Sequence, residues 1–573
     1  MPPQSSHQPQ LPEAINVGPL SLKASRWNTA ILTFLLLWTF LIGCVHMTSF
    51  DIWWHLRTGQ LILERGVLPQ TDWFTYADWD KPWIDLHWGF QLIVTALHAA
   101  GGPELLVLVK AACLSATVAV GWLACGRGLP AWAKAMLWLL PAICLSGRAL
   151  VRPEMLSLVF LAMWCWVLAR VDERPRLIWT LPLLQVVWIN CHALFVLGLV
   201  VGAAFYVDRA VREVAGGRYG LAAVDSKLRF GQLTIAAVLT VLASLANPYL
   251  ERGALFPLVL YQKFSVDHDF YSIRIGEFQT PLALWRRIGF GNLYLLSEIA
   301  LWLMTAVSFL WLARERRINI MRLLLFAGFS HLGWRAARNT NLLALIGGVV
   351  LCANCAEALA LRRRRLSANN KPSRHAGASQ PHSVGRLFNP IAVTLLVVLS
   401  LSVPTGYWSS WGGEGRRFGI GIDEAKYWYA LGAARFAGQE GMPQTAFIAT
   451  IGQAAPYAYY NAPKRRVFMD GRLEVATRAT FERHELVRDM MDPSGSLFRP
   501  DAAWVELILD EEGHVPAVIL DSRHARDQIN GMLLTPSWRL VFADPAAAVF
   551  LDDSLAARLE LPRVDPEPLY YPP

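Results

Sequence analysis

The sequence predicts a mainly α-helical polytopic membrane protein, a bundle of about eleven transmembrane helices followed by a C-terminal soluble α/β domain. Three observations predict it. Of 573 residues, 54% are hydrophobic and only 17% are charged, a balance that excludes an ordinary soluble protein. The apolar residues fall in runs near bilayer-crossing length, about 20 residues as a helix. Beyond about residue 404 those runs shrink to strand length, with turn signals and helical stretches between them.

Residues 1–25 are largely polar and rich in Pro and Gln and are predicted to be a disordered N-terminus. The first apolar run extends from about Trp27 to Phe50 without Lys, Arg, Asp or Glu. It is too long for a signal-peptide core and is read as an uncleaved anchor. Further spans are predicted near 104–125, 131–147, 154–170, 177–190, 192–208, 230–246, 293–313, 320–334, 341–361 and 388–404, which closes a transmembrane region over 26–404. The first outer loop, 51–102, includes Trp88 to Ala100, a short apolar run flanked by His87 and His98 that stops at Gly101-Gly102-Pro103. It is read as an interfacial helix. In 405–573 the runs Phe447–Ala449, Arg466–Met469, Ala517–Leu520, Leu540–Phe542 and Ala548–Leu551 predict the strands of an α/β domain. That domain has no Gly-rich phosphate loop and no zinc pattern. All eight cysteines lie in or beside apolar segments, so no disulfide framework is available to it. Cys352 and Cys355 form a CxxC that reads as helix packing.

The net charge of +9 is concentrated between the apolar runs. The positive-inside rule accounts for it, and nucleic acid is excluded as a partner. The most basic loop, 362–387, contains Arg362-Arg363-Arg364-Arg365 and no acid. With 209–229, 314–322 and the flank bearing Lys23 and Arg26, it is assigned to the cytoplasm. The acidic first loop is then outside, as is the C-terminal domain.

This topology gathers the polar residues at one face. Asp51 and His55, in Asp51-Ile52-Trp53-Trp54-His55, lie on one side of a continuing helix. The spacing suits a base with its orienter or a metal pair. It also suits an N-cap, since Asp caps well. Arg148, Arg152, Arg335 and Arg338 sit at outer helix ends, where arginine is disfavoured unless it meets an anion; phosphate is apt because guanidinium binds it bidentately. Lys110, within the second span, reaches the same site or snorkels. Glu154 follows Pro153, so the helix dipole explains it, yet it is also a second outer carboxylate. Asn190 and His192, in Trp-Ile-Asn-Cys-His, complete the candidate set.

On these residues the chain resembles the GT-C membrane glycosyltransferases that use polyprenyl-phosphate-linked sugars. Asp51 and the loop behind it match the family's acidic residue after the first helix. Glu154 matches a second acid at the outer start of a later helix, and Lys110 a basic residue beyond the first loop. The chain is also similar to a bacterial branch of glycosyltransferase-like proteins with an Asp-x-Trp-Trp-His-x-x-x-Gly motif, here Asp51 to Gly59. That branch has Arg-Pro-Glu, Trp-x-Asn-x-His and Asp-Gly-Arg elements, here Arg152 to Glu154, Trp188 to His192 and Asp470 to Arg472.

The resemblance implies an integral protein of the bacterial inner membrane, N-terminus cytoplasmic. Its expected partners are the bilayer, a polyprenyl-phosphate sugar donor and a glycan, lipid or protein acceptor. Asp51, His55 and Glu154 are the expected catalytic residues: Asp51 as general base, His55 as its orienter. Lys110, Arg148, Arg152, Asn190, His192, Arg335 and Arg338 are the expected substrate-binding residues. A divalent metal ion stays open as cofactor, with Asp51, His55 and Glu154 as candidate ligands. The competing reading is a non-catalytic transporter or envelope-assembly scaffold. A transporter calls for inverted repeats and broken midplane helices, of which the sequence has no obvious sign.

Overall fold

The computed structural model describes residues 26–289, 291–369, 382–409 and 417–570. The N-terminal segment 1–25 and the middle of the basic loop 362–387 lie outside them.

The chain begins with α1 (Arg26–Gly43), α2 (Asp51–Arg65), α3 (Trp88–Ala124), α4 (Ala131–Ser146) and α5 (Glu154–Leu168). It continues through α6 (Thr180–Ile189), α7 (Val196–Ala215) and α8 (Phe230–Ala243). The loop helices α9 (Leu250–Val266), α10 (His268–Arg274) and α11 (Pro281–Ile288) follow, then α12 (Leu293–Arg314), α13 (Ile320–Arg335), α14 (Thr340–Asn369) and α15 (His382–Ser402). Helices α1, α3, α12 and α14, and α7 with its preceding turn, are long and apolar enough to cross a membrane. The shorter α4, α5, α6, α8 and α15 are also apolar, and α13 packs between α7 and α14. The protein is an integral membrane protein built on a helical bundle. Its core is filled by Trp38, Trp138, Trp164 and Trp188, all essentially inaccessible, and Cys352 packs there as one more small apolar residue.

Two glycines shape the end of the bundle that carries the C-terminal domain. Gly102 has φ +62° and ψ −164°, a conformation essentially closed to residues with a Cβ. It breaks α3 into a short helix before it and a longer one after it, and Pro103 opens the second piece, where its missing N–H costs nothing. Gly59 lies where α2 crosses α3. A Cβ there would stand 2.2 Å from Thr95 Oγ1 and 2.6 Å from the Gln91 carbonyl oxygen. The last position of the Asp-x-Trp-Trp-His-x-x-x-Gly pattern is therefore a helix-packing requirement.

The C-terminal domain contains α16 (Leu431–Phe436), β1 (Thr445–Ile448), α17 (Ala454–Asn461), β2 (Arg466–Val467), α18 (Arg478–Met491), β3 (Ala517–Asp521), α19 (Arg526–Leu533), β4 (Trp538–Ala543) and β5 (Ala547–Asp552). The sheet order is β2-β1-β3-β5-β4, with β1 parallel to both neighbours and β5 antiparallel to β3 and β4. Strands β1 and β3 are buried along their whole length. That is why they read as continuous apolar runs rather than alternating ones.

The domain is joined to the bundle by backbone and charge. Tyr76 N–H donates to the Val467 carbonyl, and Val467 N–H to the Phe74 carbonyl, both at 2.9 Å; the first loop thus adds a bridge to the sheet edge. Arg472, wholly buried, bonds Asp470 at 2.8 Å and Asp72 of the first loop at 2.5 Å. Its guanidinium lies 4.4 Å from the Trp83 ring and 4.6 Å from the Phe74 ring. Lys263, at the end of α9, donates to the carbonyls of Leu473 and Ala476 at 2.5 and 2.7 Å.

Candidate active site

Asp51 is the first residue of α2. Phe50 stands at the cap position, and no side chain caps the helix, so Asp51 is free for other work. The strap leading to it is fixed on several sides. Lys110 Nζ donates to the Val45 carbonyl at 2.7 Å. Trp428 Nε1 donates to the Thr48 carbonyl at 2.7 Å and the Tyr429 hydroxyl to that of Ser49 at 3.1 Å. The Phe50 ring stacks on Trp428 and meets Tyr429 edge-on. Gly471 closes the site from above: a Cβ on it would lie 3.4 Å from Asp51 Oδ1.

The charged groups alternate. Arg152 bonds Asp51 at 3.1 Å and Glu277 at 2.8 Å, and its Nε reaches the Ser49 hydroxyl at 3.1 Å. Arg148 lies 3.4 Å from Glu277 and 3.7 Å from Glu154. Asp51, Arg152, Glu277, Arg148 and Glu154 therefore form one continuous chain of opposite charges. Arg338 covers the Phe278 ring at 4.9 Å and is close enough to act electrostatically on Asp51, Glu277 and His192. Among the described residues neither Arg335 nor Arg338 has a carboxylate within 4 Å, whereas Arg148 and Arg152 do.

Burial lifts the Asp51 carboxyl above its ordinary range. Arg152 draws it back, Glu277 and Glu154 lift it, and Arg338 lowers it. Burial works the same way on Glu277, but Arg148, Arg152 and Arg338 together hold it well below the usual carboxylate range. The two acids are thus split by environment, one poised to take a proton and one permanently charged.

Behind Asp51 runs a row of histidines. His55, 2% exposed, lies against Trp54 with ring centroids 3.6 Å apart and 5.5 Å from His87. His87 lies 5.4 Å from His192 and 3.4 Å from the buried Asp85. Burial and the neighbouring histidines push His55 and His192 down. Burial also acts downward on His87, but the bond to Asp85 outweighs it and its pKa rises. His192 Nδ1 meets the Ser157 hydroxyl at 2.8 Å.

Some expectations need correction. His55 makes no hydrogen bond with Asp51 among the described residues; Arg152 is the group that orients the carboxylate. Asn190 accepts from Trp88 Nε1 and donates to the Val186 and Ala246 carbonyls. Its amide is thus used to join α3, α6 and the end of α8, not offered to a substrate. Lys110 is buried against the strap. Asp51, His55 and Glu154 do not form a cation site. Among the described residues no three His, Cys, Asp or Glu side chains converge as metal ligands, and Asp51 and Glu154 face arginines. The sequence puts Glu277 in the long loop that begins at Asn247-Pro248-Tyr249, among the polar residues of that face, but nothing local marks it as a member of the site. Its one signal was a surplus of arginines over the acids placed at that end.

No protein-family model matches the sequence, and no curated protein matches it. Solved structures do. The archaeal oligosaccharyltransferase AglB from Archaeoglobus fulgidus, in complex with an inhibitory peptide and a dolichol-phosphate, is similar at a TM-score of 0.52 and 12% identity, over 87% of this chain and 69% of that one. The apo form of the Archaeoglobus fulgidus oligosaccharyltransferase gives 0.50 and 12%, over 88% and 70%. ArnT from Cupriavidus metallidurans bound to undecaprenyl phosphate gives 0.46 and 13%, over 91% and 97%. At such identities the likeness is one of fold. The helical bundle, the loop helices and the appended sheet domain together have the GT-C fold.

Proposed function

We infer that this protein is a membrane glycosyltransferase that moves a sugar from a polyprenyl-phosphate donor to an acceptor hydroxyl at the extracytoplasmic face. The observation that carries this reading is the pairing of two unlike neighbours. One is a raised carboxylate, Asp51, held by Arg152 beside Gly471; the other is the Arg338 guanidinium, which acts electrostatically on Asp51 and has no carboxylate partner of its own among the described residues. A dolichol-phosphate in the AglB complex supports a lipid-phosphate ligand for a bundle of this fold.

The chemistry follows from those groups. The acceptor oxygen attacks the anomeric carbon as Asp51 takes its proton. The bond from that carbon to the phosphate oxygen breaks, its electron pair leaves with the lipid phosphate, and the configuration inverts. Arg335 and Arg338 stabilise the charge that develops on the phosphate, the kind of preorganised electrostatic help that dominates many such reactions. Arg148, Arg152, Glu154 and Glu277 hold the frame, and His192 and His87 line it. The carboxylates here are matched to arginines.

The test is transfer from a radiolabelled polyprenyl-phosphate hexose by the full chain in nanodiscs. Asp51→Asn is expected to lower the rate by roughly 10²–10⁴, the range for a lost general base. A variant that inserts, folds and turns over at the wild-type rate would overturn the reading.

A further inference from the structure

The end of the bundle opposite Asp51 holds a surplus of charge that the transfer chemistry does not use. Helix α12 runs away from the candidate site and ends at Arg314, and the turn after it carries Arg316 and Arg317. Helix α14 also runs away from the site and carries Arg362-Arg363-Arg364-Arg365 towards its far end. The two helices pack against each other, and Arg365 bonds Glu315 at 3.0 Å, which brings the two groups of arginines together. The turn is pinned as well. Ile318 N–H donates to the Gly220 carbonyl at 3.0 Å, and a Cβ on Gly220 would stand 2.8 Å from the Arg316 carbonyl oxygen.

The carboxylates at this end are already taken. From residue 299 to residue 387 the sequence has only two acids, Glu315 and Glu357. Glu315 holds Arg365, and Glu357 holds Arg322. Asp208, reaching over from α7, accepts from the first backbone N–H groups of α13 and bonds Arg212. Among the described residues, Arg314, Arg316, Arg317, Arg362, Arg363 and Arg364 are left with no carboxylate within 4 Å. All of them but Arg317 are exposed.

Depth selects the partner. Helix α12 has 22 residues, or about 33 Å at 1.5 Å per residue, and Arg362 stands about as far along α14. A bilayer's hydrocarbon is about 30 Å thick. Helices that enter at the opposite face therefore deliver both groups of arginines at the level of the lipid phosphates. Guanidinium binds phosphate bidentately. A zwitterionic headgroup would bring its own ammonium against the surplus, whereas an anionic headgroup offsets it, and basic clusters beside a membrane helix favour such lipids.

We propose that Arg314, Arg316, Arg317, Arg362, Arg363 and Arg364 form a binding site for an anionic phospholipid headgroup between the far ends of α12 and α14. The site stands whichever reaction Asp51 performs. The test is native mass spectrometry of the full chain in detergent, offered equal amounts of phosphatidylglycerol and phosphatidylcholine with the same acyl chains. Phosphatidylglycerol is expected to be retained at least about tenfold better. Arg316→Gln with Arg317→Gln, and separately Arg362→Gln with Arg363→Gln, should each weaken its binding about ten- to thirtyfold, at roughly fivefold per arginine. Arg174→Gln with Arg176→Gln removes the same charge from exposed positions after α5, at the same end of the bundle, and should leave binding unchanged. The proposal is overturned if the two lipids are retained equally, or if the Arg174 and Arg176 pair loses as much as the others, which would mean that net charge alone attracts the lipid. It is also overturned if inorganic phosphate displaces the lipid beyond chloride of the same ionic strength, since the site would then be one for free phosphate. If one of the two site pairs does not fold, the other decides alone.

Discussion

Asp51 keeps 29% of its side chain accessible, yet burial and two neighbouring acids hold its proton more tightly than water would. A base must be deprotonated to act, so activity should fall as pH drops through the raised Asp51 value. The acidic limb of kcat/KM is expected above the ordinary aspartate value of about 3.9. Arg152→Ala removes the nearest cation and should move that limb further towards neutral pH, while Arg338→Ala should mainly lower kcat, since it removes help given to charge that develops in the transition state, with a smaller upward shift of the limb. Steady-state kinetics across pH separates the two. A limb that does not move in Arg152→Ala would mean that another group sets it. His87 behaves oppositely: Asp85 raises it, so its charge and the stability from that pair are present at low pH and fade as pH rises through the raised imidazole value. NMR titration of the labelled imidazole reads this directly.

At the scale of elements, the break at Gly102 and the crossing at Gly59 decide where α2 and the first part of α3 lie. Gly59→Val would force a side chain into the Gln91 backbone, and overpacking of this kind costs about 1–3 kcal/mol. A lower melting temperature in detergent is the expected result; an unchanged one would mean that α2 can lift away from α3. The break at Gly102 was legible in the sequence because it is local; the crossing at Gly59, which joins residues more than thirty apart, was not. An apolar run, a Gly-Gly-Pro stop and a Pro-Glu helix start announce themselves within a few residues. What brings Glu277 to Arg148 and Arg152 is not local. The loop holding α9 to α11 is positioned by Lys263 against Leu473 and Ala476, by Arg478 bonding Asp267 at 2.9 Å and by Arg274 pairing with Glu485. Those partners are some two hundred residues away, and no period or motif links them. His55 misled for a related reason: four residues along a helix shares a face with Asp51, but Trp54, His87 and Phe90 claim the ring.

For the whole molecule, Arg472 is the tie between bundle and domain. Removing it leaves Asp72 and Asp470 buried without their counter-ion, which costs about 3–5 kcal/mol. Arg472→Ala should loosen the domain before the bundle melts, seen as protease cleavage within 405–470. Arg472→Lys should rescue poorly, since an ammonium lacks the planar fork that reaches both acids. Resistance equal to wild type would mean that the sheet bridge through Phe74 and Tyr76 suffices.

Helices α4, α5 and α8 have 16, 15 and 14 residues, or about 24, 22 and 21 Å at 1.5 Å per residue. A bilayer's hydrocarbon is about 30 Å thick. A bilayer crossed by helices this short would thin around them or meet a dimple in the protein. Arg148 follows α4 and Glu154 opens α5, so such a dimple would lie beside the charged chain. A phosphate on a long lipid would then meet the arginines at its own depth, without being drawn out of the leaflet. Thickness becomes a control variable: turnover should be faster in short-chain nanodiscs than in long-chain ones of the same headgroup.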